Sequence, residues 1–328
     1  MRAILLRQPG GPEVLGLEDV PTPEPGPGEV RVRAQAIGVG RPDVLVRKGT
    51  YKWMPHLPAI PGTELAGTVD QLGAGADPAL LGRRVLVSAR ELSLRGGCYA
   101  ECICVPATAV FPLPDSIDAV DAVSLPNVQL ALALFMDHRP SMQSMLVTGA
   151  AGAVAVSLAQ VGRSKGMRVI GTASTAAKAA FAQANGFDDV LSLQSAPLAE
   201  QVMALTEGRG VDIGFDHLGG ASLVQCLRSL APFGVAVSYN VVTGPPTEEV
   251  FALQRALLGR SLAVRTFSMH ALDASPSLRR QLMQDAVLLM AQGQVKAPPA
   301  QRFAMDQVQR AHALQEAGAS LGKIVLLP

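Results

Sequence analysis

The pattern of apolar and polar positions changes character along the chain. Over the first third, short apolar runs are cut repeatedly by glycine and proline. Residues 2–6 (RAILL) predict one strand, and residues 29–36 (EVRVRAQA) alternate with period two, as a half-buried strand does. Further strands are expected at 65–72, 84–89 and 99–105. The run PTPEPGPG at 21–28 is a stiff connector, because proline fixes φ and offers no backbone donor. Short strands punctuated by turns predict a small β-barrel. From residue 116 alanine, leucine and valine dominate, and 118–137 reads as one or two helices around Pro126. Apolar runs of strand length then alternate with helical stretches, placing strands at 145–148, 168–173, 188–193, 211–216 and 234–240, with a sixth at 261–267. Such alternation predicts a parallel doubly wound sheet, α/β in class. A long helix at 277–292 and a strand at 323–327 complete the chain.

The stretch at 145–178 combines a strand, a turn, a helix and a second strand. The turn holds only tiny residues, Gly149, Ala150, Ala151, Gly152 and Ala153, and the helix carries Val154, Leu158 and Val161 on one face. Lys165 and Gly166 end that helix, since glycine readily takes the left-handed conformation of a C-cap. Tiny residues let backbone N–H groups approach an anion, and the helix dipole favours one there. The unit predicts a dinucleotide pyrophosphate site at Ala150, Ala151, Gly152, Ala153 and Val154. Ala153 and Ala155 occupy positions where the fingerprint prefers glycine, so a close-packed turn without a ligand is the competing reading. With a ligand, the two methyl groups predict a tighter site. About twenty residues past Gly152, where an NAD site carries a carboxylate, the chain has Thr172, Ser174 and Lys178. No negative charge opposes a 2′-phosphate there, which points to NADPH; a solvated lysine at 178 is the alternative.

Composition narrows the function classes. A chain of 328 residues is long enough for two domains with substantial cores. Apolar residues make up 48% of it, yet no uninterrupted run has bilayer-spanning length. Pro9, Gly10 and Gly11 break the N-terminal apolar run too early for a signal peptide. A formal net charge of +1 without a basic cluster argues against nucleic acid or membrane as partner. Four cysteines, Cys98, Cys102, Cys104 and Cys226, fit reduced thiols in a cytoplasm. Cys102 and Cys104 alternate on one strand face, and no histidine or further cysteine completes a metal set.

Several motifs follow one another in a specific order: MRAILLRQPGGPEVL at the start, GVGRPDVLVRKGTY at 38–51, PAIPGTELAGTV at 58–69 and GGCYAE at 96–101. VTGAAGAVAVSLAQ at 147–160, GTASTAAK at 171–178, FDHLGG at 215–220 and GKIVLLP at the end complete the series. Together they resemble the zinc-independent quinone oxidoreductase branch of the medium-chain dehydrogenases/reductases, which includes the zeta-crystallins. The resemblance implies a GroES-like β-barrel from residues 1–120 and 262–328, with a Rossmann domain at 121–261. It implies hydride transfer from NADPH to a quinone or an α,β-unsaturated carbonyl, hence a small electrophilic substrate. A cytoplasmic homodimer is expected, joined through the strand at 261–267. Beyond the turn, the implied cofactor contacts are Gln129, Thr172, Ser174, Lys178, Leu218, Gly219, Asn240, Phe267 and Lys323. Asn240 as a strand-end cap and Lys323 as a surface lysine remain the alternatives.

The resemblance also places Gly40, Asp43, Leu45, Tyr51, Trp53, Asn127, Gln129 and Met269 around a substrate cleft between the domains. Gly40 stands where the branch commonly has Asn, Leu45 where Tyr is frequent, and Gln129 where Thr is usual. The pocket is therefore less polar, leaving water, or Asp43 through water, as the proton source; a structural role for Asp43 is the other reading. Tyr51 and Trp53 are either a stacking lid or loop anchors. Zinc-dependent relatives place a cysteine within the Gly38–Val39–Gly40 segment and a His–Glu pair where this chain has Thr63 and Glu64. No metal is expected. Two other functions are compatible with the same residues: an enoyl-thioester reductase, and a sensor that binds NADPH without turnover.

Overall fold

The computed structural model describes residues 1–328, apart from the side chain of Asp137. Strands in chain order are β1 (Arg2–Leu6), β2 (Leu15–Asp19), β3 (Glu29–Val39), β4 (Glu64–Leu72), β5 (Arg84–Ser88), β6 (Cys102–Pro106) and β7 (Val110–Pro112). They continue as β8 (Ser144–Val147), β9 (Arg168–Ala173), β10 (Asp189–Ser192), β11 (Val211–Asp216), β12 (Leu230–Ser238), β13 (Ala263–Thr266), β14 (Ala300–Ala304) and β15 (Lys323–Leu327). Helices are α1 (Arg41–Arg47), α2 (Ala119–Ala122), α3 (Leu125–Leu134), α4 (Ala153–Ser164), α5 (Ala176–Ala184), α6 (Leu198–Leu205), α7 (Gly220–Arg228), α8 (Val250–Ala256), α9 (Pro276–Ala291) and α10 (Val308–Glu316). Among the described residues, no helix is long and apolar enough to cross a membrane.

Two compact units result, residues 1–126 with 297–328, and residues 127–296. The first contains a seven-stranded sheet in the order β14-β15-β3-β4-β5-β7, with β6 also paired to β3, and a β1–β2 ladder beside it. Its core gathers Ile4, Val32, Ile37, Leu65, Val85, Tyr99 and Leu326. β3 runs three residues beyond the expected end. Alternation stops at Ala36 because Ile37 and Val39 are buried along with their neighbours, so the period-two signal fades while the pairing continues. β2 escapes the sequence pattern because LGLED has a glycine and two acids, and only its pairing with β1 makes it a strand. Tyr99, expected to begin a strand, is buried but precedes β6; Ala100 makes only an isolated bridge with Ala3.

The second unit has six strands in the order β10-β9-β8-β11-β12-β13, every adjacent pair parallel. In order of appearance that is 3-2-1-4-5-6, the doubly wound order in which the crevice opens between first and fourth strands. The expected return to the first domain at residue 262 is corrected to 297. Ala263–Thr266 pairs in parallel with Val235–Ser238, and α9 follows in the same unit. β13 is a half-exposed edge strand, so composition alone does not assign it to either sheet.

Candidate functional site

The strands that flank the crevice are β8 and β11, and each ends in a turn of small residues. Gly149 takes φ +66°, and its N–H donates to the Thr172 hydroxyl at 3.0 Å. The Ala150 N–H donates to the Thr172 carbonyl at 2.9 Å. Thr172, fully buried on β9, thus braces the turn through both its hydroxyl and its carbonyl. Gly152 is the N-cap of α4, and no side chain caps the helix. The first N–H groups of α4, those of Ala153, Val154 and Ala155, therefore have no intrahelical acceptor and no side-chain acceptor. A Cβ on Gly152 would meet only the Gly149 carbonyl, at 3.7 Å, so the space before these donors is open. That is the cradle a pyrophosphate needs.

Ala155 turns into the packed face of α4 and is buried. The close helix–sheet approach that the fingerprint assigns to a glycine here is made at Gly162, where a Cβ would lie 2.2 Å from Met145 Sδ. The methyl of Ala155 is accommodated because the intimate contact has moved along the helix.

The second turn, after β11, carries FDHLGG. Asp216 is fully buried and accepts three hydrogen bonds: Thr148 hydroxyl at 2.9 Å, Ser222 hydroxyl at 2.7 Å and Gly219 N–H at 2.7 Å. Gly219 has φ +74° and ψ −150°, a region open in practice only to glycine. The Leu218 carbonyl accepts from Thr243 N–H at 2.7 Å and Thr243 hydroxyl at 2.9 Å. The His217 ring lies against Gly149, where a Cβ would be 2.3 Å from its Cε1, and sits 5.8 Å from the Tyr239 ring. Thr148, Asp216, His217 and Tyr239 gather around the two turns, and sequence reasoning did not single them out. The signal available was a carboxylate at the end of a buried strand, three residues before a pair of glycines.

At the far end of β9, Ser174 is exposed and Lys178 half-buried on the first turn of α5. Thr175 caps that helix by accepting the Lys178 N–H at 3.3 Å. The Ser174 carbonyl accepts from Gln194 Nε2 at 3.2 Å. Asn240 Oδ1 accepts from the Val241 N–H at 2.8 Å, a strand-end cap. Phe267 is buried, with the Arg265 guanidinium 4.9 Å from its ring centroid. Met269 is buried at the start of a short 3-10 turn, and Asn127 is half-buried on α3. Gln129 is buried with its amide NH₂ bonded to the Arg279 carbonyl at 2.7 Å, which leaves Oε1 for any carboxamide contact.

The remaining expected residues lie in the other unit. Asp43 caps α1 by accepting the Gly40 N–H at 2.8 Å on Oδ2, which also accepts the Thr63 hydroxyl at 3.3 Å. Oδ1 is buried without a partner. Burial first, and repulsion from Glu64 second, push the Asp43 carboxyl up to about 7, against the pull of Gly40, Lys323 and Thr63. Lys323 is not a surface lysine: it is buried and paired with Glu64. Leu45 is half-buried on α1. Tyr51 and Trp53 meet edge-on at 5.7 Å, with Lys52 Nζ 5.2 Å from the Trp53 ring. Burial raises the Tyr51 phenol pKa, opposed by Arg90 and Arg95. Among the described residues, no three His, Cys, Asp or Glu side chains group as a metal site.

Residues 26–115 match the family model for the alcohol dehydrogenase GroES-like domain, and residues 185–326 that for a zinc-binding dehydrogenase. A quinone oxidoreductase of Pseudomonas aeruginosa is 30% identical over 324 residues, covering 97% of both chains. The solved quinone oxidoreductase of Escherichia coli, complexed with NADPH, superposes with TM-score 0.87 at 26% identity over the whole of both chains. A mycobacterial protein complexed with NADPH superposes with TM-score 0.86 at 30% identity, again over both full chains.

Proposed function

The chain belongs to the quinone oxidoreductases of the medium-chain dehydrogenase/reductase family, and from that membership we propose that it is an NADPH-dependent, zinc-independent reductase of quinones or α,β-unsaturated carbonyls. The observation that carries the reading is the uncapped start of α4, opening onto free space at the crevice between β8 and β11. Ala153, Val154 and Ala155 would offer their N–H groups to the pyrophosphate. Ser174 and Lys178 would face the 2′-phosphate, with no carboxylate nearby in the chain to repel it. The nicotinamide, when bound, supplies the two-electron reducing chemistry. The protein's part is to orient it and exclude water. Zinc independence is supported by residue type: Gly38, Val39 and Gly40 bring no ligand atom on a side chain, and the Thr63 hydroxyl is spent on Asp43.

NADPH-bound relatives and four free cysteines, three of them buried, support a reducing, cytoplasmic setting for this chain. The exposed edge of β13 supports assembly as a homodimer. Following nucleotide absorbance against quinones, enones and enoyl thioesters tests the activity. Oxidation only by enoyl thioesters would move the assignment to that reductase class, and NADPH binding without any oxidation would make the chain a sensor. Lys178→Ala is expected to weaken NADPH about tenfold while leaving NADH unchanged, since it removes one charge-assisted contact. Equal losses for both nucleotides would remove the NADPH preference.

A further inference from the structure

Backbone pairing between β8 and β11 stops where the chemistry is expected to start. The last register pair is Val147 with Phe215, followed by the Thr148 N–H to the Phe215 carbonyl at 3.0 Å. Beyond that point the two chains diverge into separate turns, one carrying the α4 donors and the other Leu218 and Gly219. Asp216 spans the gap. Oδ1 receives the Thr148 hydroxyl from the first turn and the Ser222 hydroxyl from α7, while Oδ2 receives the Gly219 N–H from the second. The Thr148 oxygen also lies 3.4 Å from the His217 N–H, so one hydroxyl serves both turns.

We propose that Asp216 is a positioning residue for the dinucleotide site, holding the α4 turn and the Gly219 turn at one fixed separation across the crevice. The assignment rests on the nucleotide-binding reading above. A carboxylate suits the task because it is acceptor-only, and three donors converge on its two oxygens. An amide would turn N–H groups toward one of those donors. Burial makes each lost bond felt, because the donor left behind has no water to turn to. The Gly219 turn cannot relax cheaply either, since the Gly219 N–H is held by Asp216 Oδ2 and the next N–H, of Gly220, by the Gly244 carbonyl at 3.0 Å.

The test measures NADPH dissociation by fluorescence titration, and kcat and KM with a soluble 1,4-benzoquinone at saturating NADPH. Thr148→Val keeps the side-chain shape, removes the bond to Asp216 together with the weaker one from the His217 N–H, and leaves the Gly219 and Ser222 bonds in place. It is expected to weaken NADPH about tenfold while the quinone KM stays within about twofold. Asp216→Asn is expected to weaken it further; should that variant fail to fold, Thr148→Val carries the test alone. A merely structural role would lower the melting temperature without separating nucleotide affinity from quinone KM. Thr148→Val binding NADPH as tightly as the parent, or raising both constants in parallel, would overturn the proposal. Failure of the unaltered protein to bind NADPH is a separate result, and it would overturn the nucleotide reading itself.

Discussion

Gly219→Ala is expected to cost about 2–6 kcal/mol of stability and to abolish NADPH binding. Two costs add. A residue with a side chain held at φ +74° and ψ −150° pays about 1–3 kcal/mol in backbone strain. Its Cβ would also stand 2.4 Å from the Gly244 carbonyl and 3.0 Å from Val241 Cα, which are backbone atoms that no rotamer change can move aside. Overpacking of that kind typically costs a further 1–3 kcal/mol, roughly. Relief requires shifting the 241–244 loop or the Gly219 N–H, and the second breaks the bond to Asp216. Gly166→Ala is the control. Gly166 also has φ +75°, yet a Cβ there meets nothing within 4 Å, so only the left-handed penalty of about 1–2 kcal/mol applies. Equal losses in urea unfolding for the two variants would show that the contact with Gly244 carries no cost.

The second large effect is expected in the pH dependence of stability, where two buried groups of the first unit act with opposite signs. His312 is fully buried with Nε2 2.9 Å from the Tyr99 hydroxyl, and burial, then Arg47, press its pKa from 6.5 to about 3. A folded pKa below the unfolded one gives stability that is complete above pH 6.5 and is lost as pH falls toward 3. Asp43 is the reverse. Its carboxyl rises from 3.8 to about 7, so its contribution is complete below pH 3.8 and is lost as pH rises through 7. Each slope is about 1.4 kcal/mol per pH unit inside its window. Between roughly pH 4.5 and 6.5 the two largely cancel, and the parent protein should show a nearly flat profile. Asp43→Asn should expose the His312 slope, losing about 2 kcal/mol on acidification from pH 6.5 to roughly 4.5. His312→Gln should tilt the profile the other way, with stability falling as pH rises. His138, nearer solvent and also lowered by burial, adds a smaller slope of the histidine sign. Melting curves across that range decide it. Parallel profiles for the two variants would contradict the opposed pair.

Acidification is also informative about the Asp43 environment. Glu64 and Lys323 form an ion pair beside it, and Glu64 is the second cause of its raised value. Asp43 capping α1 through Gly40 favours the structural reading of this residue over that of a water-linked proton donor.

The sequence by itself determined the class of fold and the place of the turn of tiny residues between β8 and α4. Period-two alternation in 29–36, apolar runs at 168–173 and 211–216, and the tiny residues at 149–153 are local signals, each produced by burial or by close backbone approach within a few residues. They carry over into the observed strands almost unchanged. The expectation for Ser174 and Lys178 is of the same local kind, since it depends on distance along one strand–turn–helix–strand unit.

Only the tertiary structure decided what depends on partners distant in the chain. Asp216 looks in sequence like the end of a strand, and becomes the brace of the crevice because Thr148 lies beside it, 68 residues earlier. Lys323 reads as a terminal surface lysine until β15 pairs with β3 and brings Glu64 to it, 259 residues away. Gln129 loses its free amide to Arg279, and the methyl of Ala155 is absorbed because Gly162 takes the close approach to Met145. β13 joins the parallel sheet because β12 offers an open edge, which its own half-exposed residues do not announce. Local patterning reports which side of an element is buried. What it is buried against is set by sheet order, and that order appears only when the whole chain has folded.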